Sequence, residues 1–312
     1  MSENRGSVDL TAGESVRSTK ERAIRGLFFA CAALSVLVTA GIIATLLFDA
    51  LDFFTQVSPA AFYTGTNWSP EIRPYSYGVL PLLTNTLLVT VLSALVALPI
   101  GVAAAIYLSE YASTRIRSVI KPALEILAGI PTVVYGYFAL VYITPALDTF
   151  LPLSTFNALS ASIVVGIMIV PMVSSISEDA MSAVPDSLRE AGYGMGATKF
   201  EVSTGIVVPA AVSGIFSSFI LALSRAIGET MIVTVAAGMT PQMVTPGNID
   251  TVMFESIQTM TAAMIQLGLS DVPSGSTSYQ ALFAIGLTLF AVTFIMNLLS
   301  NWVAARYREE YR

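Results

Sequence analysis

Glu190–Pro209 reads EAGYGMGATKFEVSTGIVVP, and this stretch decides how the 312-residue chain is understood. It is polar at its start, spaced by glycines in its middle, and flanked by two strongly apolar segments. Hydrophobic residues make up 54% of the chain and charged residues only 12%, against about 25% charged in soluble domains. A polar, helix-capable insert between apolar runs of this kind has work to do on one side of a bilayer. Which side it faces decides what can dock on it.

Outward from that stretch, the apolar runs set the architecture. About 20 apolar residues cross a bilayer as a helix, and six segments qualify: Ala23–Ala50, Leu80–Leu108, Val119–Ile143, Ala158–Ser177, Ala210–Ala237 and Tyr279–Ala304. The expected fold class is an all-α integral membrane protein with six transmembrane helices. Loops on the cytoplasmic side hold the excess of Lys and Arg near the span ends. Here Arg5, Arg17, Lys20, Arg22 and Arg25 precede the first span, and Arg115, Arg117 and Lys121 follow the second. Arg189 and Lys199 follow the fourth, and Arg306, Arg308 and Arg312 follow the last, whereas the opposite loops hold only Arg73. Both termini and the 190–209 segment are therefore expected in the cytoplasm.

The resulting division is a flexible cytoplasmic tail over residues 1–22, a first transmembrane helix over 23–50 and an external loop over 51–79. A transmembrane core follows over 80–305, then a cytoplasmic tail over 306–312. The first apolar run is too long for a secretory signal, and no small-residue cleavage pattern follows it closely. The chain reads as a multi-pass protein of the cytoplasmic (inner) membrane, surrounded by lipid.

Several chemistries are missing. There is no histidine, which removes the usual proton shuttle, the commonest metal ligand and the Ser–His type of nucleophilic site. The single cysteine, Cys31, reads as a small buried apolar residue of the first span. No G-x-x-x-x-G-K-[ST] stretch is present, so any ATP has to be handled by a partner. No catalytic residue, metal site or cofactor is expected in this chain. The net charge of −6 argues against nucleic acid, which needs a basic face.

The first external loop carries Phe53, Phe54, Phe62, Tyr63, Trp68, Tyr75 and Tyr77, readable either as an interfacial aromatic belt or as a docking surface. Pro99, Pro131 and Pro171 fall inside spans and are expected to bend them. The AGIPT stretch at Ala128–Thr132 suits close helix packing or a bent span beside a pathway. In the outer loop Met239–Ser278, the spacing of Phe254, Ile257, Met260, Met264 and Leu267 predicts a helix over Val252–Leu267.

Arg225 and Glu229 lie in the fifth span, in SRAIGETM. Charges at membrane depth normally face a wet cavity or each other, and the i, i+4 spacing places both on one helix face. Arginine offers a fixed fork of donors suited to an oxyanion. Glu229 then reads as a discriminator, repelling fully ionised anions and accepting a hydrogen bond from a protonated one. Glu125 is expected to pair with Lys121, and Glu178 and Asp179 to be solvated.

The Glu190–Pro209 segment resembles the cytoplasmic loop of importer-type ABC permeases, written EAA, three residues, G, nine residues, I-x-L-P. Glu190-Ala191-Gly192 opens it, Gly196 follows after three residues, and Ile206 to Pro209 close it, with Gly192 for Ala and Val208 for Leu. SRAIGETM, the AGIPTVVYGYF stretch from Ala128 and SIQTMTAAM from Ser256 further resemble the PstC type of phosphate-importer permease. The resemblance implies a type I ABC importer permease fold. It implies ATPase coupling through Glu190, Ala191, Gly192, Gly196, Ile206 and Pro209, with Glu190 opening the first helix of a knob. It also implies a PstA-like second permease in a heterodimer, two ATPase subunits that carry the ATP and magnesium, and an external phosphate-binding protein. The expected function is ATP-driven import of inorganic phosphate by alternating access, with Arg225 and Glu229 on the substrate pathway. Permeases for sulfate or molybdate, and an ion-gradient-driven secondary transporter, are the rivals.

Overall fold

A computed structural model describes residues 12–307 of the chain. The expected tails at 1–22 and 306–312 fall outside these residues up to residue 11 and beyond residue 307. From Ala12 the chain is already helical.

Helix α1 (Ala12–Gln56) is apolar through its middle, and those side chains, Cys31 included against the expectation of burial, lie outside the protein's own core. A surface of exposed Leu, Val and Phe is at home only in lipid. A short helix α2 (Pro59–Thr64) is capped by the Ser58 hydroxyl, which accepts from the Ala61 amide at 3.2 Å. It leads to a hairpin of two short strands, β1 (Trp68–Ser69) and β2 (Ser76–Tyr77). The aromatic loop is divided: Tyr63 and Tyr75 are exposed, Phe54 and Tyr77 half-buried, and the other three rings turn inward. Phe53, Phe62 and Trp68 are buried with Leu82, Met260, Leu267 and Ile285, and Phe53 meets Phe62, Phe54 and Tyr77 edge-on at 5.3–5.6 Å. Edge-to-face rings contribute beyond their buried area, so the loop is a small core sealing this end of the molecule.

Helices α3 (Leu80–Ile106) and α7 (Ala158–Ser182) form the central pair. Small residues let them approach closely. A Cβ placed on Gly101 would fall 2.6 Å from the Val173 Cβ, and one on Gly166 only 2.9 Å from the Val96 Cβ. Pro99 and Pro171 sit within these helices without interrupting them. At its far end α3 loosens into a π turn, Tyr107–Tyr111.

The third expected span, Val119–Ile143, is not one helix. Helix α4 (Thr114–Gly129) ends at Ile130-Pro131, and the chain restarts as α5 (Thr132–Phe138), a π turn and α6 (Thr144–Asp148), at 89° to α4. Pro131 caps α5 rather than kinking a continuous helix. After α7 come α8 (Asp186–Gly194), α9 (Lys199–Val202), a π turn at Ser203–Val207 and α10 (Val208–Ala210). The chain then bends by 69° into α11 (Val212–Ile227).

The fifth expected span, Ala210–Ala237, is also interrupted. Helix α11 stops at Ile227, and a second helical piece ends in the π turn Val233–Ala237 before Gly238, whose φ of +96° favours glycine. The expected helix over Val252–Leu267 resolves into α12 (Ile249–Val252), an extended segment and α13 (Met260–Leu269). Ile257 and Met260 are buried as the spacing anticipates, but Ser256–Gln258 is held by hydrogen bonds instead of helix turns. The Ile257 amide donates to the Ala237 carbonyl at 2.9 Å, and the Asn85 side chain donates to the Gln258 carbonyl at 3.1 Å. Helix α14 (Thr277–Tyr307) closes the chain along α1 and α11. Among the described residues, four helices are long and apolar enough to cross a membrane, and six segments cross if each bent pair counts as one.

The tight α3–α7 seam makes a direct prediction. Gly166→Val overpacks the seam and should destabilise the protein by about 1–3 kcal/mol, whereas Gly41→Val meets nothing within 4 Å in this chain. Thermal unfolding in detergent reads the difference, and equal melting temperatures for both variants would contradict the seam.

Candidate functional site

The residues singled out in Glu190–Pro209 come together as a knob. Helix α8 begins at Asp186, capped at Pro185, so Glu190 lies in its middle and does not open it. Glu190 and Ala191 are exposed, and Gly192 is buried. A Cβ on Gly192 would lie 2.7 Å from the Ile206 Cδ1 and 3.0 Å from the Val202 Cγ2, so this glycine lets the two arms of the knob touch. Gly196 turns the chain with a φ of +85°, a conformation that side chains with a Cβ rarely adopt. Thr198 then starts α9 with a capping box: its hydroxyl accepts from the Glu201 amide, and the Glu201 carboxylate accepts from the Thr198 amide at 2.7 Å. Pro209 sits in α10 just before the 69° bend at Ala211.

The underside of the knob is apolar and packed. Val202 and Val207 are buried with Ala105 of α3 and Met181 of α7, and Leu188 and Ile206 close in from the side. Its outer surface keeps large apolar groups in the open: Met195 is 83% exposed, Phe200 67% and Tyr193 43%. These three leave apolar area in the open on an otherwise polar turn.

Arg225 and Glu229 are not on one helix face. Arg225 occupies the last turn of α11, and Glu229 lies past the helix end. Glu229 is 3% exposed, and its carboxylate accepts from the amides of Met231 (3.1 Å) and Ile232 (3.3 Å), capping the second helical piece. Its own carbonyl accepts from the Thr261 hydroxyl at 2.7 Å, which ties the break to α13. Arg225 makes no hydrogen bond or ion pair among the described residues. It lines a cleft of about 290 Å³ with Leu124, Glu125 and Ala128 of α4 and Met168, Pro171 and Ser175 of α7.

Glu125 does not pair with Lys121. Lys121 reaches the Glu178 Oε2 at 2.7 Å and Asp179 at 3.5 Å, and Arg117 also pairs with Glu178. Glu178, expected to be solvated, has a fully buried side chain held between these two cations; Asp179 is exposed as expected. Nothing in the local sequence signals this, because both cations come from α4. Among the described residues, the cleft is thus left with one unpaired cation, Arg225, and one unpaired carboxylate, Glu125.

Comparison with known proteins follows the same lines. Residues 97–309 match the family described as "Binding-protein-dependent transport system inner membrane component". A "Probable ABC transporter permease protein YqgH" of Bacillus subtilis is 35% identical over 285 residues, covering 90% of each chain. A "Phosphate transport system permease protein PstC" of Mesorhizobium japonicum is 31% identical over 320 residues, covering 93% of this chain and 95% of that one. Among solved structures, a bacterial ABC transporter involved in the import of the acidic polysaccharide alginate matches at 15% identity and a TM-score of 0.63, covering 94% of this chain and 100% of that one. The MetNI methionine ABC transporter in an inward-facing conformation matches at 17% identity and a TM-score of 0.54, covering 74% and 95%. These likenesses establish the type I ABC importer permease fold.

The capping box titrates in a defined direction. The Thr198 amide, and then its hydroxyl, hold the Glu201 carboxyl below its usual range. A carboxyl depressed on folding stabilises above its unfolded pKa, and that stabilisation is lost as pH falls through the folded value. Amide protection at Thr198–Val202 should therefore persist through the ordinary carboxylate range and fall only below it, and Glu201→Gln should abolish the dependence. Hydrogen exchange corrected for intrinsic rates reads this; protection lost at or above the usual carboxylate pKa would contradict it.

Proposed function

The chain belongs to the binding-protein-dependent inner membrane components, the permeases of ABC importers, and we propose that its cargo is inorganic phosphate. It works beside a second, PstA-like permease, with two ATPase subunits that hydrolyse ATP and an external phosphate-binding protein that delivers the anion. Its basic loops and the knob face the cytoplasm, on the charge distribution of the loops.

The observation that carries this reading is the unpaired Arg225 guanidinium opening on a cleft that also holds Glu125. An unpaired cation at membrane depth costs at least a few kcal/mol, so its retention calls for a ligand. The guanidinium donates through a planar fork to two oxygens of an oxyanion. Glu125, on the opposite wall, accepts a hydrogen bond from a P–OH group. Phosphate carries such a proton near neutral pH, whereas sulfate does not and meets a carboxylate it can only repel. The discriminating role thus moves from Glu229 to Glu125. Glu229 serves the pathway by fixing the helix break below Arg225. The relatives described as phosphate permeases support the same cargo.

The knob receives the ATPase. Glu190 and Ala191 lie exposed on its first helix, Gly192, Gly196 and Ile206 set its shape, and Pro209 leads to the bend into α11. The exposed Met195 and Phe200 supply apolar area for a groove on that subunit.

Arg225→Gln keeps the shape and removes the charge. In proteoliposomes containing the whole complex, labelled phosphate uptake should drop at least about tenfold, the scale of a lost charged hydrogen bond, with the ATPase subunits still bound. Uptake at the wild-type rate would sink the pathway role.

A further inference from the structure

We propose that Arg189 is the positioning residue that welds the knob to the α3–α7 pair, with Glu110 as its anchor, so that displacement of the knob is delivered to those two helices together. This rests on the reading that the knob receives the ATPase.

Arg189 precedes Glu190, and its side chain points back toward the membrane core rather than out to a partner. Its Nη1 donates to the Val184 carbonyl at 2.6 Å and to Asp186 at 3.1 Å, and its Nη2 donates to the Met181 carbonyl at 2.8 Å. Met181 and Val184 lie at the end of α7, where a helix leaves carbonyls without partners and favours a cation. The same guanidinium reaches the Glu110 Oε1 through Nη2 at 3.1 Å and Nε at 3.3 Å. Glu110 lies in the π turn that ends α3, and Ser109 donates to the same oxygen at 3.0 Å. Both side chains are nearly enclosed, with 14% of Arg189 and 4% of Glu110 exposed. One rigid fork therefore joins three chain segments.

The next residue of the turn is gripped as well. The Lys199 ammonium, on the second arm of the knob, lies 5.1 Å from the centre of the Tyr111 ring. Both arms of the knob thus hold the end of α3, through Glu110 and Tyr111. Beyond that, the close seam at Gly101 and Gly166 makes α3 and α7 one body. The knob's other connection, into α11, is a bend of 69° at a single residue, Ala211. The knob is fastened to α3 and α7, and the cleft that Arg225 lines is walled by α4 and α7. Movement of the knob then reaches that cleft through its α7 wall.

The test uses the reconstituted complex and measures phosphate transported per ATP hydrolysed. Arg189→Gln removes the fork, and Glu110→Gln is a milder change that removes only the anchor's charge. Both variants should keep the ATPase subunits bound and hydrolysis within twofold of wild type, while phosphate moved per ATP falls at least tenfold. An unchanged ratio in both variants would overturn the proposal. Release of the ATPase subunits would also overturn it, by making Arg189 a docking residue, and so would failure of both variants to assemble, by making the cluster a folding element. The underlying reading fails separately: a Phe200→Cys probe in the wild-type complex that never cross-links to an ATPase subunit would remove the knob's role whatever the variants do.

Discussion

Backbone that leaves a helix at membrane depth has to find its hydrogen-bond partners inside the protein, and the working parts of this permease are arranged around that requirement. Where α11 stops at Ile227, the Glu229 carboxylate takes up the amides of Met231 and Ile232, and Thr261 takes up the Glu229 carbonyl. Where the return to α13 runs extended, Ala237, Asn85 and Thr86 supply the partners, the last through its hydroxyl to the Met260 amide at 3.0 Å. These bonds tie the break beside Arg225 to α13, and α13 to α3. A buried carboxylate used in this way is committed to the backbone, which is why the anion site proposed above draws on Arg225 and Glu125 instead.

The opposite end, which carries the knob proposed to receive the ATPase, meets a different constraint, a polar surface that has to hold its shape. Among the described residues, buried charge there is paired: Glu178 between Arg117 and Lys121, and Glu110 with Arg189. Pairs like these are weak evidence for net stability, since desolvation offsets much of the attraction. Breaking one partner is costly, however, and that makes them good registers of position. They fix α4 against α7, and the knob against α3 and α7.

Much of this was legible in the residues, for reasons that also explain the failures. Hydrophobic length marks a span whatever surrounds it, so the apolar segments were found. The knob was found because its glycine spacing reflects purely local demands, such as the positive φ at Gly196. Helix continuity was not legible. Pro99 and Pro171 sit inside unbroken helices while Pro131 begins a new one, and the residue type is the same in all three. Charge partners depart from local spacing for a related reason. Local spacing linked Lys121 to Glu125 and Arg225 to Glu229, but helix packing turns Lys121 to Glu178, and the end of α11 takes Glu229 out of register. The aromatic loop looked like a surface because its core partners, Met260, Leu267 and Ile285, lie some two hundred residues further along the chain.

The central claim is that this chain passes phosphate only when a separate ATPase moves it. The most direct measurement is labelled phosphate uptake into proteoliposomes holding the whole complex and the binding protein, with the ATPase subunits either intact or disabled. The account predicts accumulation that requires ATP and disappears with the disabled subunits. Phosphate accumulation that survives their disabling and follows an imposed ion gradient would contradict it.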